Sequence, residues 1–519
     1  MWVFPEIRLL GDAFAYYARR EPDRLAVIAG GRRTSFGEME ALTNKVARGL
    51  HAEGLLPGDR VLFLGKNSLD TYLAMIGVAK AAACFVPLNW RLAVPELTAV
   101  IHDADAQLAI VEREMELMWA GICAELGVTI RTQWIDEEST LAAWSANQSE
   151  QRPSVRARDD DPAMLLYTSG TTGLPKGVIH THASLNHSRI SEHLEGAYDW
   201  RDGDIFLCPL PNFHLLHIAL ALQCHYNGVA VSLQRQFDPA TFLAGISSER
   251  PSLLVLTPTM IQMMLDHPDA ATTDFSSVRL LMYAGSPISL GLIRRAIATM
   301  PCKFMQFYGQ TETSGPVSLL RPDEHDLEDE TKLKSCGRPL PLIRMRIVDL
   351  LGNDVPTGAP GELWISAPAA TGGYWRQPAE TAARFVDGWY HTGDIAYRDS
   401  DGLCYIYDRL KDMIVSGGEN VYSAEVESAL SMHPAVGAVA VIGVPDERWG
   451  EAVKAIVVPR EGQEIDAAEL LAFCRTRLAG YKAPKSIDFV PAMPLTGTGK
   501  VAKTVLRAPY WAAMQRSVT

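Results

Sequence analysis

The chain has 519 residues, 47% hydrophobic and 21% charged, with a formal net charge of −13. These are the proportions of an ordinary globular protein, and at ~150 residues per packing unit the length calls for about three units. The acid excess, with no Lys/Arg run, argues against a nucleic-acid partner. Eight cysteines are scattered without a C-x-x-C pair, which argues against a disulfide framework or zinc knuckle and suits a reducing cytoplasm. The most apolar stretch, residues 73–86, contains Lys80 and falls short of the ~20 residues of a membrane helix. Arg8 and Asp12 interrupt any leader, so no signal peptide is expected.

In chain order, residues 9–19 have helical spacing and residues 24–29 read as a strand. Ser35 followed by Glu38 is a capping box that opens a helix to about His51. A turn at Pro57-Gly58-Asp59 leads to a buried strand over 61–64, then a small-residue helix over 70–83. Strand and helix go on alternating, which predicts an α/β fold with mostly parallel sheets. Residues 148–161 are a polar connection to an apolar strand over 164–167. Further on, helices are expected over 183–194 and 239–250, and strands over 204–208, 228–233, 252–256, 279–283 and 304–307. From about Ile343 short strands and tight turns take over, and beyond Asp408 lies a compact α/β segment of about one hundred residues.

The strand over 164–167 runs into Thr168, Ser169, Gly170, Thr171, Thr172, Gly173, Leu174, Pro175 and Lys176. Four hydroxyls, glycines that let backbone N–H groups turn inward, and a lone lysine suit a polyphosphate. Pro175 before Lys176 and Gly177 after it rule out a Walker A loop. In open α/β sheets ligands bind beyond the carboxyl ends of strands. Four more predicted strands end in turns rich in Gly, hydroxyl and aromatic residues: Pro209 to His214, Thr257-Pro258-Thr259, Ala284-Gly285-Ser286-Pro287, and Tyr308-Gly309-Gln310-Thr311-Glu312-Thr313. One shared cleft is the economical reading.

The string YTSGTTGLPKG resembles the phosphate loop of the adenylate-forming superfamily: acyl-CoA synthetases, peptide-synthetase adenylation domains and luciferase. The later strings YGQTET, HTGD, DRLKDMIVSGGENVYSAEVE and YKAPK…PLTGTGK resemble the same superfamily in order, over nearly the whole chain. They are closest to bacterial fatty-acyl-CoA synthetases and 4-coumarate-type CoA ligases. The resemblance implies a large N-terminal domain of two doubly wound sheets with a β-rich subdomain (1–408), a hinge (409–412) and a small mobile α/β C-terminal domain (413–519). It also implies a two-step reaction. A carboxylate attacks the α-phosphorus of ATP to give an acyl-adenylate and pyrophosphate, and the thiol of coenzyme A then displaces AMP.

An anion meeting a polyanion makes charge neutralisation the central catalytic problem. By resemblance, residues 168–176 cradle the β- and γ-phosphates, Thr311 meets the α-phosphate, and Glu312 holds Mg²⁺. Tyr308, Gly309 and Gly285-Ser286-Pro287 form the adenine slot, while Asp394 and Arg409 take the ribose. Lys500 bridges the acyl carboxylate and ATP phosphate during adenylation. Lys411 is the hinge about which the small domain rotates, withdrawing Lys500 and presenting Gly417 and Gly418 to the pantetheine arm.

The acyl pocket implied by resemblance comprises His214, as a gate beside the adenylate, with Leu215, Leu216, Leu220, Tyr283, Gly285, Ser314, Gly315 and Pro316. These are mostly apolar, so the acid is apolar, and Leu216 favours a medium or long aliphatic chain over a phenolic ring. His180 and His182 lack the partner spacing of a zinc pair. No acid stands between Asn212 and Leu216 to meet an amino-acid ammonium, which argues against a peptide-synthetase domain. A ligase for aromatic acids and a non-catalytic nucleotide binder are the alternatives. A cytoplasmic monomer or homodimer is expected, with peripheral membrane contact left open.

Overall fold

The computed structural model describes residues 4–168, 175–349, 351–370, 372–409, 412–416, 419–446, 448–460, 462–463, 465–495 and 501–515. The chain divides into two compact units: residues 1–345 with 365–390, and residues 346–364 with 391–519.

The first unit contains a six-stranded sheet ordered Thr132–Ile135, Leu108–Glu112, Arg60–Leu64, Cys84–Pro87, Pro162–Thr168, Lys176–Thr181. All neighbours in it are parallel except the last pair, a hairpin with Thr168 opposite Lys176. A nine-stranded sheet runs Arg338–Pro339, Ser318–Leu320, Lys303–Tyr308, Leu280–Tyr283, Leu253–Leu256, Ile205–Cys208, Ala230–Leu233, Leu25–Ala29, Arg32–Ser35. Its central strands are parallel. The expected α/β class with parallel sheets is what the chain adopts.

The local signals explain the elements. Glu38 N donates to Ser35 Oγ at 3.2 Å and Ser35 N to Glu38 Oε2 at 2.8 Å, closing the expected capping box of helix Phe36–Ala52. Helix Leu69–Lys80 is buried on every face from Asp70 onward, as its nearly unbroken apolar sequence requires. Lys80 at its end is neutralised by Glu40 and donates to Thr43 Oγ1 (2.7 Å) and Asn44 Oδ1 (2.9 Å).

The two sheets are tied where their strands end. Asn212 Nδ2 donates to Gly65 O at 3.0 Å and Asn212 N to Asn67 Oδ1 at 3.0 Å. Asn67 Nδ2 reaches Leu210 O (2.7 Å) and Gln234 O (2.8 Å). Buried amides thus satisfy the backbone groups that leave both sheets.

Asp70, 8% exposed, accepts from Leu141 N at 2.9 Å, and burial pushes its carboxyl up to about 6. The folded value lies above the unfolded one, so folding favours the protonated form. That contribution is complete below about pH 4 and is lost as pH rises through about 6. Asp70→Asn is therefore expected to flatten the fall in stability between about pH 4 and pH 6, seen as a smaller change in denaturation midpoint. An unchanged pH slope would remove Asp70 as its source.

The second unit holds a sheet ordered Glu419–Val421, Ile414–Ser416, Gly450–Pro459, Val436–Asp446, with Ser486–Phe489 parallel to Gly450–Pro459. Helices Ser423–Ser431 and Ala467–Arg475 cover it, with Ile414, Val426, Leu430, Val453 and Leu470 in the core. Of the expected hinge, Leu410 and Lys411 lie outside the described residues.

Candidate active site

Parallel pairing lines up the loops of the first unit. Tyr283 stands opposite Gln306, so Ala284 to Pro287 and Tyr308 to Thr311 leave neighbouring strands at the same edge. Gly285 has φ +94°, a conformation that suits glycine, and it and Pro287 are exposed. Tyr308 ends its strand half-buried, and Thr311 and Glu312 begin a short 3₁₀ turn, also half-buried. These residues, assigned by resemblance to adenine, α-phosphate and metal, therefore share one rim. Of the phosphate loop, Thr168 and Lys176 pair across the hairpin; Ser169, Gly170, Thr171, Thr172 and Gly173 lie outside the described residues.

Two residues that the sequence reading did not single out organise this rim. The segment around residues 372–381 lies along the strand Lys176–Thr181: Ile179 N donates to Gly373 O at 2.9 Å, and Trp375 N to Gly177 O at 2.7 Å. This places the Tyr374 hydroxyl 2.8 Å from Glu312 Oε1. It also pairs Lys176 with Glu380, and the Lys176 ammonium lies 5.5 Å from the centre of the Tyr374 ring. The bond from Lys176 holds the Glu380 carboxyl below its usual range. Burial first, and then the Glu312 charge, push the Tyr374 phenol well up, so it remains a donor to Glu312. The lysine and acid expected to handle ATP and metal thus face each other across one tyrosine. The only sequence signal for Tyr374 was its place between two glycines and the helix Pro378–Arg384.

Ser314 and Gly315 are fully buried against the hairpin and the following helix, His182–His193. The Ser314 hydroxyl donates to Ser184 Oγ at 3.1 Å and lies 3.0 Å from His180 Nδ1. His180 is lowered to about 3 by burial and stays neutral, and His182 Nδ1 accepts from Leu10 N at 2.9 Å; the two histidines serve separate packing bonds. Tyr283, 0% exposed, bonds His325 at 3.0 Å, and Leu220 is buried within helix Leu215–Tyr226. His214 is the N-cap of that helix, its ring 4.6 Å from the ring of Phe213; His214, Leu215, Leu216 and Pro316 are half-buried.

In the second unit, Asp394 is 3% exposed and stands directly opposite Arg409 in an antiparallel pair, putting the two residues assigned to ribose on adjacent strands. Asp408 accepts from Ser423 Oγ at 2.9 Å and Asp412 pairs with Arg507 at 3.1 Å. Ser416 faces Glu419 across a strand pair; Gly417, Gly418, Lys411 and Lys500 lie outside the described residues.

An α/β chain with parallel sheets, a hydroxyl-rich sequence between Thr168 and Lys176, a carboxylate at a neighbouring strand end and a separate C-terminal unit suits a nucleotide-activating enzyme. The chain matches the AMP-binding enzyme family over residues 14–375 and the AMP-binding enzyme C-terminal domain over residues 425–500. It belongs to the AMP-binding enzyme family, within the adenylate-forming superfamily, and is an ATP-using acid–thiol ligase of the AMP-forming type. It is 37% identical over 517 residues to the fatty acid–[acyl-carrier-protein] ligase ScoC of Streptomyces coeruleorubidus, covering 99% of each chain. It is 39% identical over 494 residues to a feruloyl-CoA synthase of an Amycolatopsis species, covering 95% of this chain and 97% of that one. A solved structure of a Mycobacterium tuberculosis fatty acyl CoA synthetase superposes with a TM-score of 0.80 at 34% identity, covering 98% of this chain and 99% of that one. Among the described residues, no helix is long and apolar enough to cross a membrane.

Proposed function

We propose that the protein activates a medium- or long-chain apolar carboxylic acid as its acyl-adenylate and transfers the acyl group to coenzyme A, releasing AMP and pyrophosphate. The observation that carries the acid's class is the half-buried pair Leu215 and Leu216 just after His214, at the start of helix Leu215–Tyr226. They offer hydrocarbon where the acyl group would leave the adenylate. The likeness to a fatty acid ligase and a fatty acyl CoA synthetase supports the same reading.

Lys176 and the loop before it would take the β- and γ-phosphates, and Thr311 the α-phosphate. Glu312 would hold Mg²⁺, which neutralises phosphate oxygens when bound. The donors fit such a metal. Among the described residues no group of three or more His, Cys, Asp or Glu forms a protein cage, and Mg²⁺ is ordinarily held by one or two carboxylates plus substrate phosphates. Glu380 would give up Lys176 to the polyphosphate, while Tyr374 keeps Glu312 oriented. Asp394 and Arg409 would meet the ribose, and Lys500 the carboxylate and α-phosphate. Rotation at Lys411 would then bring Gly417 and Gly418 to the pantetheine arm.

The rate of CoA-dependent AMP formation across straight-chain acids tests the acyl assignment. One buried methylene is worth ~0.8 kcal/mol, roughly fourfold per carbon at best, so kcat/KM is expected to rise with chain length to at least about eight carbons. The similarity to a feruloyl-CoA synthase favours a second reading, an aromatic acid. A hydroxycinnamate preferred tenfold over every aliphatic acid would establish that reading and remove the first.

A further inference from the structure

Helix His182–His193 is polar in sequence yet turned inward, and it carries an ion pair behind the proposed acyl site. Arg189, 3% exposed, donates from Nη2 to Glu192 Oε1 at 2.6 Å and to Ser188 Oγ at 2.8 Å, and from Nε to Gln223 Oε1 at 2.9 Å. The Tyr198 hydroxyl satisfies Glu192 Oε2 at 2.8 Å. Five donors on these two helices have no acceptor among the described residues: His182 Nε2 and Tyr226 Oη towards the N-terminal segment, and Arg189 Nη1, Gln223 Nε2 and Asn186 Nδ2. Gln223 is 0% exposed and Asn186 6%. Buried donors are nearly always matched, and leaving one unmatched carries the full cost of its desolvation.

Their position points to the substrate. Leu216, Leu220 and Gln223 recur at i, i+4 and i+7 on helix Leu215–Tyr226, one stripe of a helix. The turn of Gln223 lies about 10 Å beyond that of Leu216 at 1.5 Å per residue. Gly315, in the wall assigned to the acyl pocket, reaches the same place. A Cβ there would stand 2.1 Å from Ser188 Oγ and 2.9 Å from Arg189 Nη2. The missing side chain is what lets the guanidinium come up to that wall.

We propose that the acid carries a neutral oxygen at its far end, a hydroxyl or carbonyl about one acyl-chain length from the carboxylate, received by Arg189 Nη1, Gln223 Nε2 and Asn186 Nδ2. A second carboxylate is disfavoured. Glu192 already balances Arg189, with the two side chains 0% and 4% exposed, and a further anion would be a buried uncompensated charge. The inference rests on the acid-ligase reading above and departs from its wholly apolar acid at the far end, on either an aliphatic or an aromatic framework.

The test compares kcat/KM for octanoate, ω-hydroxyoctanoate and octanedioate, and for cinnamate and para-hydroxycinnamate, by CoA-dependent AMP release. In the wild-type enzyme, the hydroxylated acid of at least one pair should exceed its plain partner roughly tenfold, the scale of a hydrogen bond to a charged donor. The aliphatic and aromatic pairs show which framework delivers the oxygen, and octanedioate should fall below ω-hydroxyoctanoate. In Gln223→Met the preference should shrink toward unity, and likewise in Asn186→Leu. Equal or better turnover of both plain acids by the wild type would overturn the inference, leaving buried water as the acceptor. So would a preference untouched by either variant, or octanedioate as the best substrate. If no acid supported AMP release, the ligase reading itself would fall; plain acids turning over without the preference would sink only the polar subsite.

Discussion

Lys500→Ala is expected to slow acyl-adenylate formation from acid and ATP by ~10²–10³-fold, the usual loss when one preorganised charge donor is removed from a developing anionic centre. The lysine is assigned by resemblance, from the motif Thr496-Gly-Thr-Gly-Lys500. On that assignment its charge would be needed only where carboxylate and α-phosphate meet. Given preformed acyl-adenylate and CoA, the same variant should make thioester at close to the wild-type rate, if the small domain rotates Lys500 away between the steps as the resemblance implies. Lys411→Pro should show the opposite asymmetry. Proline fixes φ near −65°, so it should hinder rotation, sparing adenylation and slowing thioester formation. Rapid-quench measurement of each half-reaction separates the cases. Equal damage by Lys500→Ala to both steps would mean a single conformation or a structural lysine.

Glu312→Gln should leave the fold intact and raise the Mg²⁺ needed for half-maximal adenylation by at least ~10²-fold, since even partners beyond the metal's own ligands cost 10–100-fold. The substitution is informative because of Tyr374. Its hydroxyl donates to Glu312 Oε1 at 2.8 Å, and the glutamine oxygen can accept the same bond, so only the charge offered to the metal changes. Mg²⁺-dependent ATP binding by calorimetry reads this without turnover. The same Mg²⁺ dependence in variant and wild type would take Glu312 out of the metal site.

Most elements announced themselves in the sequence because their patterns had contrast. The capping box at Ser35 and Glu38 and the apolar strands before each loop are local signals, and the structure keeps them. Helix Leu215–Tyr226 was not foreseen. Its residues from His217 to Tyr226 are all buried, so it shows no polar stripe to set a period. The strand Lys176–Thr181 was hidden by the glycine-rich loop that feeds it, and only pairing with Pro162–Thr168 reveals it. At the candidate site, Lys176, Thr311 and Glu312 could be proposed from the sequence because each lies within a dense motif. Tyr374 and Glu380 were not, since their partners are 62 and 204 residues away and only the lie of residues 372–381 along the hairpin brings them in. Arg189 and Gln223 read as ordinary helix residues; their meaning depends on burial, which a sequence of mixed polarity does not declare.

The central claim is that the carboxylate is activated as an acyl-adenylate before any thiol takes part. Exchange of labelled pyrophosphate into ATP tests it most directly. With ATP, Mg²⁺ and an apolar carboxylic acid but no CoA, label should enter ATP at a rate that depends on the acid, and AMP should accumulate in turnover amounts only when CoA is added. Release of ADP and phosphate, or exchange that ignores the acid, would contradict the account.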